Sequence, residues 1–240
     1  VVEKDRVVNG EKITGRALKQ RVLELLRSDD VALGLEKLCQ LPARQVINPL
    51  FSFLYSNDPE IKWAAVTAMG AVTAKLADND MEAARVIMRR LIWNLNDESG
   101  GIGWGSPEAM GEILAQQQGL AGEYANILIS YARKHGNYLE NENLQRGLLW
   151  GIGRLSQALS RTAVEAVPHL IPYLKSRDAT VRGLAVWTLG LLGAEEARPD
   201  LESLTADESE IQIYIEGRLV KRRVKDLARD ALKAISARAI

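Results

Sequence analysis

Two short stretches carry most of the side chains that could do chemistry. Residues 96–114 read NDESGGIGWGSPEAMGEIL and residues 135–143 read HGNYLENEN. The first offers Asp97, Glu98, Ser99, Trp104 and Glu108; the second offers Tyr138, Glu140 and Glu142, followed by Arg146, Trp150 and Arg154. Carboxylates beside aromatic rings suit a cationic or amphipathic guest: a peptide amine, a Lys or Arg side chain, or a divalent ion. The same pairing could do acid–base work, but no nucleophile–base pair and no metal-ligand spacing accompanies it. His135 is the only histidine nearby, and the acids lack EF-hand spacing. The expected binding set is therefore Asp97, Glu98, Ser99, Trp104, Glu108, Tyr138, Glu140, Arg146 and Trp150, with no catalytic residue, metal or cofactor. The expected guest is a protein or peptide, with a small ligand as the alternative; nucleic acid and membrane are not expected.

Four glycines fall within residues 100–105. Each costs about 1 kcal/mol against alanine inside a helix, so a continuous helix is excluded there. A new start is written in Ser106-Pro107-Glu108: a capping hydroxyl, a proline in the first turn and an acid near the positive end of the dipole. The Gly101, Gly103, Gly105 spacing imitates a dinucleotide fingerprint, but it follows a helix rather than a strand, so that reading is set aside. Anion binding at the helix start competes with the carboxylates crowded beside it. Asp97 and Glu98 have a plainer role as well, closing the preceding helix or pairing with Arg146.

The elements that must hold these residues emerge from a repeat. Aligning IKWAAVTAMGAV (61–72), IGWGSPEAMGEI (102–113), LQRGLLWGIGRL (144–155) and VRGLAVWTLGLL (181–192) brings Gly70, Gly111, Gly153 and Gly190 into register. Upstream of three of them lies a second apolar-periodic stretch: 46–56, 84–95 and 166–176. Each unit is helix A, a short turn and helix B. Ile61, Ala64, Ala65, Ala68 and Met69 form one apolar stripe, and the small residues let a neighbouring helix approach closely before the next repeat buries what remains. In such an array the A-to-B turns share an edge, so the loops near 97–105 and 135–142 are expected to form a notch between the third and fourth units. Trp150 and Trp187 share a repeat position and read as core, as do Trp63 and Trp93; glycines flank Trp104 and no helical stripe claims it.

The segments D-P-E-I-K-W-A-A-x-x-A-M-G (58–70) and D-A-T-V-R-G-L-A-V-W-T-L-G (178–190) resemble HEAT-like repeats of the phycobilisome-lyase type, a resemblance that covers about residues 17–236. NDESGGIGWGSPEAMGE with LQRGLLWGIGRL is similar to an uncharacterised bacterial HEAT-repeat family, which implies no particular activity. The wider class implied by the resemblance holds mostly protein-binding arrays, together with bilin lyases and DNA alkyl-base glycosylases. The expected fold is all-α, a right-handed α-α superhelix of the HEAT-like solenoid kind, with a small β-hairpin inserted near the C-terminus. The expected function is a non-catalytic scaffold that binds a protein or ligand in the notch; the alternative is a lyase-like or base-excising enzyme.

The ends depart from the pattern. Residues 17–41 read as a degenerate first helix pair with Leu23, Leu25, Leu26, Leu33, Leu35 and Leu38 as apolar positions, and residues 1–16 as a tail or a small turn at Asn9-Gly10. In 210–224, Ile211, Ile213 and Ile215 alternate with polar residues, Glu216-Gly217 or Gly217-Arg218 supplies a turn, and the chain runs back, which predicts a hairpin. The basic run KRRVK (221–225) reads as a solvated strand face, and His169 as a structural residue of an A helix. One repeat domain of five to six helical pairs is expected over 17–240. The 31 basic side chains balance 31 acidic ones, so no overall field gathers a polyanion. A single cysteine, Cys39, argues against a disulfide framework, and no apolar run reaches membrane-spanning length; the cytoplasm is the expected compartment.

Overall fold

The second helix of four of the pairs starts where a short polar side chain caps it. Asp30 accepts from the Leu33 amide at 2.9 Å, Asp58 from Glu60 at 3.0 Å, Asn141 from Asn143 at 2.9 Å and Asp178 from Val181 at 2.8 Å. These caps satisfy amides that have no partner inside the helix. The computed structural model describes residues 6–8, 11–13, 15–96 and 103–238. The chain divides into two compact units, Val1–Ala109 and Met110–Ile240.

In the first unit the opening segment is not a bare tail. β1 (Arg6–Val8) pairs antiparallel with β2 (Glu11–Ile13), and Val8 faces Glu11. There follow α1 (Gly15–Leu26), α2 (Val31–Gln40), α3 (Ala43–Leu54), α4 (Pro59–Asn79) and α5 (Met81–Asn96). The terminal pair packs through Leu18, Val22, Leu25 and Leu38, while Leu33 is exposed. The core behind it holds Leu50, Leu54, Ala65, Met69, Met88 and Leu91, all at most 1% exposed. The division between the units falls inside α6 (Ser106–Gln116).

The second unit continues with α7 (Gln118–Ser130), α8 (Glu142–Ala158), α9 (Ser160–Ala163), α10 (Val167–Leu170), α11 (Ala179–Leu192), α12 (Arg198–Ser203), the strands β3 (Glu210–Ile215) and β4 (Arg218–Arg223), and α13 (Val224–Arg238). Here the glycine register has a direct cause. A Cβ on Gly111 would lie 2.3 Å from Gly151 Cα, one on Gly153 would lie 2.1 Å from the Trp187 ring, and one on Gly190 would lie 2.7 Å from Ala231 Cβ. Successive B helices thus pack tightly at the repeating glycine, α6 on α8 and α11 on α13 nearly backbone to backbone, and α8 on α11 through the Trp187 ring. The tight approach places dense dispersion contacts along the seam.

One A helix differs from expectation. Residues 166–176 form no continuous helix: 3-10 turns at Val164–Ala166 and Ile171–Lys175 flank the short α10. Pro168 and Pro172 stand four apart, and the missing N–H of the second removes the bond that would carry the helix through.

The C-terminal hairpin forms over the expected residues. Ile215 faces Arg218, so Glu216 and Gly217 make the turn, both with positive φ (51° and 78°), as a two-residue hairpin turn of the I′ kind requires. Ile211 and Ile213 are buried at 3% and 1% exposure. Ile211 lies against Gly183 of α11, where a Cβ would come within 2.5 Å. Four cations of 221–225 meet acids, Lys221 with Glu210, Arg222 with Asp230, and both Arg223 and Lys225 with Glu208, which leaves that face charge-balanced and solvated.

Candidate functional site

The expected site residues fall in both units. Asp97, Glu98 and Ser99 lie outside the described residues. What is described of the glycine loop in the first unit, Gly103–Gly105, is a turn leading into α6, so the helix start stands where Ser106-Pro107-Glu108 was read. The turn is pinned on both sides. A Cβ on Gly103 would lie 3.1 Å from the Asn94 carbonyl and 3.2 Å from Leu95, and one on Gly105, whose φ is +75°, would lie 2.8 Å from both Cβ and O of Leu54. Only glycine combines that φ with that approach. Between the two anchors Trp104 stands out at 43% exposure.

Trp93, one residue before Asn94, is 63% exposed rather than core. Its helix is amphipathic, and Leu91 and Leu95 take the buried side. Asn94, 6% exposed, donates to the Tyr55 hydroxyl at 3.2 Å and fixes this end of α5. Burial pushes the Tyr55 phenol up, against the opposing charge of Arg90. Two large indoles therefore face solvent, one at the end of α5 and one on the turn seated upon it.

Several expected site residues are instead framework. Ser106 does not cap: it is itself the first residue of α6, and its buried hydroxyl has no hydrogen-bond partner. Glu108 is 3% exposed and accepts from Lys62 Nζ at 2.6 Å. In the second unit Trp150 is 3% exposed and donates its indole N–H to the Tyr214 carbonyl at 2.8 Å, tying α8 to the hairpin. Arg154 binds Glu112 at 2.8 Å. Arg146 answers Asp178, the cap of α11, and also donates to Asn143 at 3.2 Å. Burial pushes the Asp178 carboxyl up, but the Arg146 hydrogen bond, the Val181 amide and the Arg146 charge outweigh it and hold the group below the ordinary carboxylate value. Arg182 and Asp207 repeat this motif at 2.8 Å one repeat on. Such pairs fix the register of successive repeats: removing one partner would leave a largely buried charge unanswered.

Tyr138 is 38% exposed, and Glu140 and Glu142 are exposed. The Tyr138 hydroxyl accepts from Gln145 at 3.2 Å, and its ring stacks on Tyr173 with centroids 6.3 Å apart. Both tyrosines line a cavity of about 470 Å³. The sequence reading missed a second hollow in the first unit, about 300 Å³, walled by Ile47, Phe51, Leu76, Val86 and Ile87. Arg90 lies 3.9 Å over the Phe51 ring and donates to Asn48 at 2.7 Å. Its sequence signal is an apolar Val86, 53% exposed. Among the described residues no group of three or more His, Cys, Asp or Glu could hold a metal ion, and no helix is long and apolar enough to cross a membrane. Burial pushes the Cys39 thiol up, against the charge of Lys75, which disfavours the nucleophilic thiolate.

A family model described as HEAT repeats matches residues 128–213. An uncharacterised protein of Archaeoglobus fulgidus is 23% identical over 184 residues, which span 74% of this chain and 91% of that protein. A designed armadillo repeat protein in complex with the peptide (KR)4 is 19% identical and superposes with a TM-score of 0.52 over 91% of this chain and 99% of that one. Another designed armadillo repeat protein is 20% identical, with a TM-score of 0.50 over 91% and 99%. The fold is that of a helical-repeat solenoid, similar to HEAT and armadillo repeat proteins; at these identities the solved structures speak to fold alone.

Proposed function

We propose that this protein is a non-catalytic interaction module that docks an extended, basic segment of a partner chain on the Trp104 end of its first unit. The observation that carries the reading is the pair of exposed indoles, Trp93 and Trp104, the second held between two glycines that leave its backbone little freedom. Solvent-facing tryptophans are what interfaces use as anchors: large apolar area, few rotamers and one polar N–H. Asp97 and Glu98 stand between them in sequence and supply the negative charge that a Lys- or Arg-bearing segment would meet. The likeness in fold to a designed repeat protein in complex with (KR)4 adds support for a peptide as the guest class.

The test is titration calorimetry of the full chain with the (KR)4 peptide and with an uncharged Gly-Ser peptide of equal length. The basic peptide binds and the uncharged one does not. Trp104→Ala weakens binding about 30-fold, the size of a hot-spot truncation of about 2 kcal/mol, with the helical melting curve unchanged. Equal binding of the two peptides, or none, overturns the reading, as does a Trp104→Ala protein that melts early, since the indole would then be structural.

A further inference from the structure

The cavity of the second unit has a chemistry that peptide docking on the first unit does not use. It is lined by the turn after α7, by Gln145 of α8, and by the proline-broken segment 168–176. Arg133, Lys134, His135, His169 and Lys175 all contribute to its walls, and no carboxylate does. This is unusual in a chain whose acids and bases balance. Lys175 reaches Asp200 at 3.2 Å, but among the described residues Arg133 and Lys134 have no ion pair.

Its walls also hold a donor without an acceptor. The Arg133 Nε is buried and has no hydrogen-bond partner, and the buried Tyr173 hydroxyl has the Tyr138 phenol beside it without forming a full hydrogen bond. Tyr173 is only 5% exposed, so bulk water does not solvate that group. A buried donor left unmade costs on the order of 1–3 kcal/mol. One water could answer one donor. A guanidinium, a phenol and two imidazoles around a common space, with no carboxylate among them, favour an anion. The cavity is also too large for an inorganic oxyanion alone, lies within the size range of small-molecule sites, and offers flat apolar surface in the Tyr138 and Tyr173 rings, Pro168 and Pro172.

We propose that this cavity binds a small anionic ligand, its phosphate or carboxylate group meeting Arg133 and Tyr173 and its flat apolar body lying against Tyr138 and the two prolines. The neighbouring imidazole supports the placement: burial, and then the Arg133 charge, hold His169 below its ordinary value, so the positive field of Arg133 reaches into the space.

The chain supplies its own reporter. It contains two histidines, His135 and His169, and both line this cavity. Imidazole NMR signals of the full protein are followed during titration with phenyl phosphate, benzoate and neutral phenol at constant ionic strength. One or both anions shift the two histidine signals saturably, and phenol at equal concentration does not. Tighter binding of phenyl phosphate assigns the head group as phosphate, and tighter binding of benzoate as carboxylate. Arg133→Met weakens the anion about tenfold or more, as loss of a charge-assisted hydrogen bond does, and Tyr173→Phe weakens it less. The Tyr173→Phe protein also serves as the measurement should Arg133→Met lose its helical circular dichroism. Neither anion moving both histidines in a saturable way overturns the proposal, as does a folded Arg133→Met protein that binds as the wild type does.

Discussion

The Trp104 end of the first unit and the basic cavity of the second both present aromatic rings, but they do so in opposite ways. In the first, glycine draws the backbone tight against Leu54 and Asn94 and the ring is left outside. In the second, prolines break a helix, a hollow opens, and Tyr173 is buried with its hydroxyl beside the Tyr138 phenol. The charge differs in sign as well: Asp97 and Glu98 flank the first in sequence, whereas arginine, lysine and histidine wall the second. An exposed ring on a rigid turn offers area to a macromolecule; a buried ring beside an unmet guanidinium N–H offers a place for something small. The same repeat physics thus yields two different settings for an aromatic ring, depending on whether glycine or proline interrupts a helix.

The sharpest way to break the contrast is Gly105→Ala. A side chain at φ +75° and a Cβ 2.8 Å from Leu54 together lower stability by about 3 kcal/mol, read by urea unfolding, and peptide binding falls with it. Next is Asp178→Ala, which removes a helix cap and the partner of Arg146 at once and costs about 2 kcal/mol. Because the folded carboxyl titrates below its unfolded value, that contribution is present above the ordinary carboxylate pKa and fades as pH falls through the lower, folded one. The stability gap between wild type and variant therefore narrows in acid. Trp150→Phe, which loses the hydrogen bond to the Tyr214 carbonyl, costs about 1 kcal/mol in thermal melts and leaves peptide binding intact. The smallest effect is at His169. Its folded pKa is depressed, so the unfolded chain takes up its proton first, and stability declines slightly as pH drops from the ordinary imidazole value through the folded one. In Arg133→Met the His169 midpoint, read by NMR, moves up.

Much of the fold was legible because its signals are local or periodic. Gly111, Gly153 and Gly190 recur because a side chain at any of them would overlap the next B helix, and a contact that recurs once per repeat leaves a mark in the sequence. The hairpin was readable from Ile211, Ile213 and Ile215 with Glu216-Gly217, since a period of two and a turn residue suffice. Helix breaking at Pro172 was also written in the chain, but apolar periodicity across 166–176 masked it. The site was less legible. Trp93 looked like core because residue type does not say which side of a helix faces out. Glu108 and Arg146 looked like ligands to a guest, while the structure commits them to Lys62 and Asp178, partners 46 and 32 residues away. The cavity went unseen because Arg133 and Tyr173 lie a full repeat apart. Only the stacking of the repeats brings them together, and His169 alone carried no sign of a shared space.

The seam of close helix contacts has an evolutionary corollary. At Gly153 the indole of Trp187 fills the space a side chain would need, so neither position is free to change by itself. Among kindred chains the two are expected to trade bulk, a methyl or larger group at 153 arising only where 187 has shrunk. Independent drift at that pair would mean the helices have moved apart.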